Sequence, residues 1–255
     1  MIRTSTSVDS LAVGQSIRDG ETLVSASGIT EVGFFSPGDS TRRYLGIWYR
    51  NISPLTVVWV ANRNTSLYTI SGVLKLNQKG ILVLLNATNS AIWSSNISSK
   101  DMNNPIVRLL DSGNFVVRNG QETNEDSVLW QSFDYPSDTI VPGMKLGWNL
   151  ETSLERYGLS WKSVENPAEG EYTVKIDLRG YPQMVIFKGP DIKTRVGSWN
   201  GLSIVGYPGP NHLSLQEFVI NESCIMSTSF LIDHSSAYIQ WLLQPLGRVC
   251  FGQLK

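Results

Sequence analysis

The sequence contains little cysteine and little charge, and each shortage excludes a class of protein. Two of the 255 residues are cysteine, Cys224 and Cys250, and 17% are charged, with a formal net charge of −1. The fold of the first 223 residues therefore cannot depend on disulfide bridges. The balanced charge argues against a nucleic-acid partner or an acidic membrane surface, because both require clustered lysine and arginine.

Long apolar runs and catalytic patterns are also missing. No run approaches the roughly 18 apolar residues of a membrane span, and no apolar segment follows the first residues as in a signal peptide. The two histidines, His212 and His234, have no serine, cysteine or carboxylate at the spacing of a catalytic triad. The sequence also lacks metal-ligand spacings and cofactor motifs. We therefore expect no enzyme activity, no cofactor and no metal site.

What the sequence does contain is a repeated pattern. Residues 74–96 and 109–133 share a strand, a glycine turn, an apolar strand and an apolar-tryptophan pair when Gly80 is aligned with Gly113. A looser copy covers residues 33–62. Repeats of this length indicate small units that bury their apolar faces only together. The tryptophans that close the three units are predicted to be core residues: Trp59, Trp93 and Trp130.

Short apolar segments separated by turn residues run along the whole chain, and none has a sustained helical period. The pattern predicts an all-β fold. A cluster of proline and glycine between residues 135 and 149 interrupts the strands. We place one domain at residues 3–150 and a second at residues 151–255, which ends without a terminating element and is interpreted as truncated.

Five Asn-x-Ser/Thr sequences favour a secreted protein, because they are N-glycosylation acceptors. They exceed the roughly two or three that chance would supply. With no leader in view, we interpret the chain as a mature or truncated piece of a longer protein. Cys224 and Cys250 can pair in such a compartment, although the sequence does not settle this. The candidate acceptors are Asn51, Asn64, Asn86, Asn96 and Asn221.

The segment Asp111-Ser112-Gly113 matches the active-site loop of aspartic proteases, which need two such loops. The sequence contains no second copy. We interpret the segment as a hairpin turn, capped by Asp111, in which Gly113 takes a positive φ.

Several longer blocks carry a family resemblance, because they occur in a fixed order. They are residues 33–38 (GFFSPG), 44–49 (YLGIWY), 57–63 (VVWVANR), 110–114 (LDSGN), 129–139 (LWQSFDYPSDT), 142–147 (PGMKLG) and 199–201 (WNG). In these blocks the chain resembles the extracellular S-domain of plant S-locus glycoproteins and G-type lectin receptor-like kinases.

The resemblance implies a bulb-type lectin domain, a β-prism with threefold pseudo-symmetry, followed by a second lectin-like unit with the S-locus glycoprotein region. It implies a non-enzymatic recognition domain, extracellular or at the cell surface, that binds a protein, a peptide or a glycan and can form homodimers. Pollen recognition and defence are both represented in the family, and the sequence does not choose between them. The alternatives are a soluble mannose-type lectin and a truncated gene product without independent activity. The kinase motifs of full-length relatives are absent from the sequence.

The resemblance also identifies where a sugar would bind. Mannose-binding bulb lectins use Gln-x-Asp-x-Asn-x-Val-x-Tyr, whose polar side chains match the hydroxyls of the sugar. In the second repeat, of the five corresponding positions, only Val83 is kept. We therefore expect the lectin fold to be retained while its ligand has changed. In the third repeat, Asn114 and Val116 match the motif, whereas Leu110, Ser112 and Arg118 replace its Gln, Asp and Tyr.

Overall fold

A computed structural model describes residues 9–95, 103–120, 127–198, 200, 214–221, 223–231, 238–243 and 249–254. These residues form 23 β-strands and include a short 3-10 turn at Ser132–Asp134, and none of them lies in an α-helix. The prediction of an all-β fold is confirmed. Within the described ranges, no helix is long and apolar enough to cross a membrane.

The chain divides into two compact units, residues 1–132 and 133–255. The division lies before the predicted boundary at residue 150. Strand β14 (Lys145–Asn149) explains the difference, because it pairs with β15 (Leu154–Arg156) and β21 (Cys224–Leu231) of the second unit. The cluster of proline and glycine between residues 135 and 149 contains the first strands of that unit.

The first unit contains three antiparallel sheets of four strands each. Sheet I is formed, in spatial order, by β3 (Thr22–Val24), β4 (Thr30–Phe35), β5 (Tyr44–Tyr49) and β6 (Val57–Val60). Sheet II is formed by β2 (Ser16–Arg18), β7 (Val73–Leu76), β8 (Leu82–Leu85) and β9 (Ala91–Ser94). Sheet III is formed by β1 (Ser10–Ala12), β10 (Pro105–Leu109), β11 (Phe115–Asn119) and β12 (Val128–Gln131).

Glycine turns set the hairpins of sheets II and III, as the sequence predicts. Gly80 and Gly113 have φ values of 71° and 86°, in the region that glycine enters without a Cβ clash. The amide of Gly80 donates to the Asn77 carbonyl at 3.0 Å, and the amide of Gly113 donates to the Leu110 carbonyl at 2.9 Å. The turns bring the apolar strands that follow into register with the strands before them.

The three sheets share the same register around their tryptophans. Trp59 pairs with Ile47, Trp93 with Leu84 and Trp130 with Val117, and the register shifts directly after each partner. The three indole rings meet edge to face, with centroids 5.8, 5.9 and 5.9 Å apart. Edge-to-face contacts add stability beyond the burial of area. The sheets therefore form a β-prism around one aromatic axis.

A polar side chain closes each repeat in the same way. The amides of Leu45, Leu82 and Phe115 lie at the first or second residue of the third strand of their sheets. These amides donate to side-chain oxygens of Asn62, Ser95 and Ser132 at 2.8, 3.0 and 2.9 Å. All six residues are buried. Since a buried amide without a partner is costly, these bonds explain why a small polar residue follows each tryptophan strand.

The second unit is also built from antiparallel sheets. One sheet has the order β15–β14–β21–β20 with β20 at Ser214–Ile220, and another joins β13 (Thr139–Ile140), β22 (Tyr238–Leu243) and β23 (Val249–Leu254). The remaining sheet is formed by β16 (Gly158–Ser163), β17 (Asn166–Asp177), β18 (Gln183–Lys188) and β19 (Asp191–Ser198). One face of β17 and β18 supplies buried apolar side chains: Val174, Ile176, Met184 and Ile186.

Candidate functional site

The five sugar-box positions of the third repeat lie on the turn between β10 and β11 and along β11. Val117 faces the tryptophan axis through its partner Trp130. Because side chains alternate along a strand, Val116 and Arg118 lie on the opposite, outer face of sheet III. The structure therefore places these two positions on one face of sheet III.

The asparagine that matches the sugar box forms hydrogen bonds within the protein. Asn114 is 8% exposed. Its Nδ2 donates to Gln131 Oε1 at 2.9 Å, and its Oδ1 accepts from Ser132 Oγ at 3.3 Å. Both ends of the amide thus join β11 to the end of β12. A sugar hydroxyl would have to displace these bonds, and the net gain would be small.

The remaining positions of this box do not supply sugar chemistry. Val116 is 1% exposed, so its side chain offers no open surface for a sugar ring. Leu110 is half-buried and apolar, and the exposed Ser112 accepts from the Asn114 amide at 3.3 Å. Arg118 is half-buried on β11, at the position of the tyrosine. The outer face of sheet III therefore lacks the set of exposed acceptors and donors that a hexose requires.

Asp111 takes a different role from the predicted one. Its Oδ1 accepts from the Ser27 amide at 2.9 Å, so it joins its own turn to the turn between β3 and β4. Burial raises the pKa of Asp111, but hydrogen bonds from the Ser27 amide and from the Ser25 and Ser27 hydroxyls outweigh it and lower the pKa overall. The prediction that Asp111 caps its own hairpin is corrected: the contact is between sheets I and III.

The second box is apolar where a sugar site is polar. Asn77 Oδ1 accepts from the amides of Lys79 and Ile81 at 2.9 and 3.0 Å, which completes the turn. Val83 and Leu85 follow on the outer face of β8, and both are half-buried. Strand β8 thus contributes aliphatic surface to this face, with Lys75 and Ser94 paired beside Val83.

The corresponding positions of sheet I escaped the sequence comparison. The shared tryptophan register places Tyr44, Gly46 and Trp48 where sheet III has Asn114, Val116 and Arg118. Tyr44 and Trp48 are 1% and 6% exposed. The connection between β4 and β5 spans residues 36–43, which is longer than in the other repeats and hides the spacing.

Two contacts fill the outer face of sheet I. Trp48 Nε1 donates to Glu31 Oε2 at 3.1 Å, and both residues are buried. A Cβ at Gly46 would lie 2.6 Å from Cε1 of Phe35 and 2.9 Å from the Trp59 carbonyl oxygen. Since such distances do not occur between real Cβ atoms and their neighbours, nothing larger than glycine fits there. The side chains packed around Gly46 leave no room for a sugar at this box position.

The candidate glycosylation sites lie on the surface wherever the structure describes them. Asn51, Asn64 and Asn221 are exposed and Asn86 is half-buried, while Asn96 lies outside the described residues. Asn86 Oδ1 accepts from the amide and the hydroxyl of Thr88 at 3.0 and 2.8 Å. The Asn-x-Thr segment is therefore held in a compact turn.

Cys224 is half-buried on β21. The side chain of Cys250, on β23, lies outside the described part of the structure, so the pairing of the two cysteines stays a prediction. No group of three or more His, Cys, Asp or Glu side chains in the described ranges is placed to hold a metal ion.

Residues 56–162 match the protein family described as D-mannose binding lectin. This segment includes all three axial tryptophans. Among solved structures, the Japanese Marasmius oreades lectin is 17% identical, with 51% of this chain and 95% of that chain covered and a TM-score of 0.39.

The chain is also similar to plant proteins over most of its length. It is 40% identical over 247 residues to the receptor-like serine/threonine-protein kinase SD1-8 of Arabidopsis thaliana, which covers 95% of this chain and 29% of that protein. It is 39% identical over 249 residues to the S-locus-specific glycoprotein BS29-2 of Brassica oleracea var. alboglabra, which covers 96% of this chain and 56% of that protein. The chain thus spans from under a third to just over half the length of these relatives.

Proposed function

Since this chain belongs to the plant S-domain proteins and carries a bulb-type lectin domain, we propose that it is an extracellular recognition domain. It binds a protein or peptide ligand and does not bind mannose through its lectin repeats. The chain is not an enzyme, because its similarity to receptor kinases covers a lectin region and the sequence contains no kinase motif.

The state of the sugar-box positions is the observation that carries this proposal. Sheet III uses Asn114 for internal hydrogen bonds, sheet II presents Val83 and Leu85, and sheet I is filled by Tyr44 and Trp48. A sugar hydroxyl removed from water without a new partner costs about 1–3 kcal/mol. None of the three faces offers enough partners to offset this cost.

The surface supports an extracellular location. Four of the five candidate acceptor asparagines lie among the described residues, on exposed or half-buried turns and loops. S-locus-specific glycoproteins among the relatives agree with a glycosylated ectodomain. The proposal also includes homodimerisation and signal relay, which we assign to a longer protein that contains this chain.

Calorimetric titration tests the proposal directly. The secreted, folded chain is titrated with methyl α-D-mannoside, and a mannose-binding bulb lectin serves as the positive control. We expect no heat of binding at sugar concentrations that saturate the control. Saturable binding, lost on Asn114→Ala but kept on Ser112→Ala, would contradict the proposal.

A mannose-type lectin is the second candidate, and the match of residues 56–162 to the D-mannose binding lectin family supports it. Under this function, the third repeat would bind sugar after Asn114 exchanges its internal partners. The same titration separates the two candidates.

A further inference from the structure

The outer face of the sheet β16–β17–β18–β19 in the second unit carries a groove of about 480 Å³. Side chains of this sheet and of the β14–β15 hairpin line it. All of its lining residues belong to the second unit. Its aromatic and charged lining residues are Trp148, Phe187, Glu155, Lys175, Asp177 and Arg179.

The strand register places basic side chains on the same face of the sheet as buried apolar side chains. Lys175 pairs with Val185, and Val185 pairs with Arg195, so the three side chains form one row across β17, β18 and β19. Directly paired residues point to the same face of a sheet. Val185 and Phe187 are buried on this face, because the long stems of the basic residues cover apolar surface while their charges reach water.

Phe187 positions two of these cations. Lys175 Nζ lies 5.3 Å from the centroid of the phenylalanine ring, and Arg179 Cζ lies 5.7 Å from it. Both distances are in the range of cation–π attraction. The ring therefore holds an ammonium and a guanidinium group at the same opening.

The carboxylates of the groove lie below its cations. The Asp177 side chain is 7% exposed, whereas that of its partner Arg179 is 69% exposed. Arg179 Nε and Nη2 donate to the two carboxylate oxygens at 2.9 and 3.0 Å. Because a guanidinium group has five N–H donors, three of them still face solvent. A ligand meets positive charge first.

Lys175 repeats this arrangement. Its Nζ lies 3.2 Å from Glu155 Oε1, and the carboxylate is the less exposed partner. Arg195 is exposed on the neighbouring strand, and its charge acts on Asp177 together with that of Arg179, which contributes the larger effect in lowering the pKa of Asp177. This face thus carries three cations, of which Arg195 lies beside the lining residues of the groove, and two carboxylates, of which Asp177 is buried and Glu155 is half-buried.

We propose that this groove binds an acidic segment of a protein partner. A glutamate or aspartate side chain of the partner accepts hydrogen bonds from Arg179 and Arg195, and an apolar neighbour packs on Trp148. A neutral sugar fits less well, because its hydroxyls would need exposed acceptors, and the carboxylates here are paired with cations and less exposed than those cations. The proposal rests on the proposed function, since it names the chemistry of the protein ligand.

A pair of matched peptides tests the proposal. The first is a fluorescein-labelled hexapeptide of alternating glutamate and phenylalanine, and the second has glutamine in place of each glutamate. Fluorescence anisotropy measures their affinity for the secreted, glycosylated chain. We expect the acidic peptide to bind about tenfold more tightly or better, and this difference to shrink at high ionic strength.

Three variants locate the binding. Arg179→Gln and Arg195→Gln are each expected to weaken the acidic peptide about tenfold. Arg195 is exposed, so its replacement tests the groove even if loss of the Asp177 partner unfolds the first variant. Lys188→Gln is the matched control: Lys188 lies over Tyr172 on the opposite face of β18, and its replacement is expected to change nothing.

Three results would overturn the proposal: no measurable binding of the acidic peptide, equal affinity for its amide analogue, or binding unchanged by both arginine variants. Displacement by trigalacturonate at lower concentration than by unlabelled peptide would assign the groove to acidic sugars and overturn it as well. A protein ligand that binds with full affinity to Arg195→Gln would leave the proposed function standing while the groove assignment fails.

Discussion

Asn114 joins two neighbouring strands of sheet III through both ends of its amide. Its partners, Gln131 and Ser132, lie at the end of β12. A residue that looks like a sugar ligand in the sequence is therefore a structural residue in the fold. The sequence could not reveal this, because its partners follow 17 and 18 residues later in the chain.

Replacing Asn114 tests this structural role. Asn114→Ala removes both hydrogen bonds and leaves the fully buried Ser132 hydroxyl short of a partner. We expect the free energy of unfolding to fall by about 1–3 kcal/mol. Chemical denaturation measures the change, and Lys79→Ala, at an exposed position of the corresponding turn in sheet II, is the control. Equal stability of both variants would contradict the structural role.

Asp111 makes stability depend on pH. Its pKa is lowered in the folded protein, because the hydrogen bonds from Ser27 and Ser25 outweigh the effect of burial. Its contribution is thus present above the unfolded-state pKa and is lost as the pH falls through the folded-state pKa.

The variant Asp111→Asn checks the sign of this effect. We expect the native chain to be more stable than the variant near neutral pH, and the difference to shrink as the pH falls toward about 3. Unfolding free energies of both chains, measured across this range, give the result. A difference that is constant or grows toward acid would contradict it.

At the scale of the elements, each sheet of the first unit repeats one design: a hairpin, a shifted register and a strand with an axial tryptophan. The repeats in sheets II and III could be predicted from their equal spacing and from Gly80 and Gly113. Sheet I was only partly recognised, because residues 36–43 lengthen its hairpin. The division after Ser132 could not be read from the sequence, because β14 joins the second unit through its pairing with β15 and β21.

Gly46 shows how the same position is used differently in two sheets. Gly46→Ala places a Cβ against the Phe35 ring and the Trp59 carbonyl oxygen. We expect a loss of about 1–3 kcal/mol in the free energy of unfolding. Val83→Ile adds one methylene group at the equivalent, half-buried position of sheet II and is expected to cost clearly less. Thermal and chemical unfolding of both variants measure the difference, and equal costs would contradict the shared register.

At the scale of the whole molecule, a chain with little charge and a formal net charge of −1 presents lectin faces without sugar partners and a groove edged by cations. The fold class followed from the sequence, because hydrophobic alternation and turn residues are local signals. The groove could not be predicted from the sequence, because Lys175, Arg179 and Arg195 come together only through strand register.

Glycosylation is a property of the whole surface. We expect glycans on Asn64 and Asn86 when the chain is secreted from a eukaryotic cell, because both lie on accessible loops or turns. Mass spectrometry of glycopeptides before and after enzymatic deglycosylation measures the occupancy. The variant Thr88→Ala, which destroys the acceptor sequence at Asn86, should remove the glycan at Asn86 alone. An unmodified Asn86 in the secreted native chain would contradict the expectation.

The measurement that tests the central claim most directly is a glycan-array screen of the secreted, glycosylated chain, with folding verified on the same sample by circular dichroism. The account predicts a folded β-protein that binds no mannose-type glycan. In the three boxes, Asn114 is internally bonded, Val83 and Leu85 are aliphatic, and Tyr44 and Trp48 are buried. Selective binding of mannose-type glycans by the folded chain would contradict it.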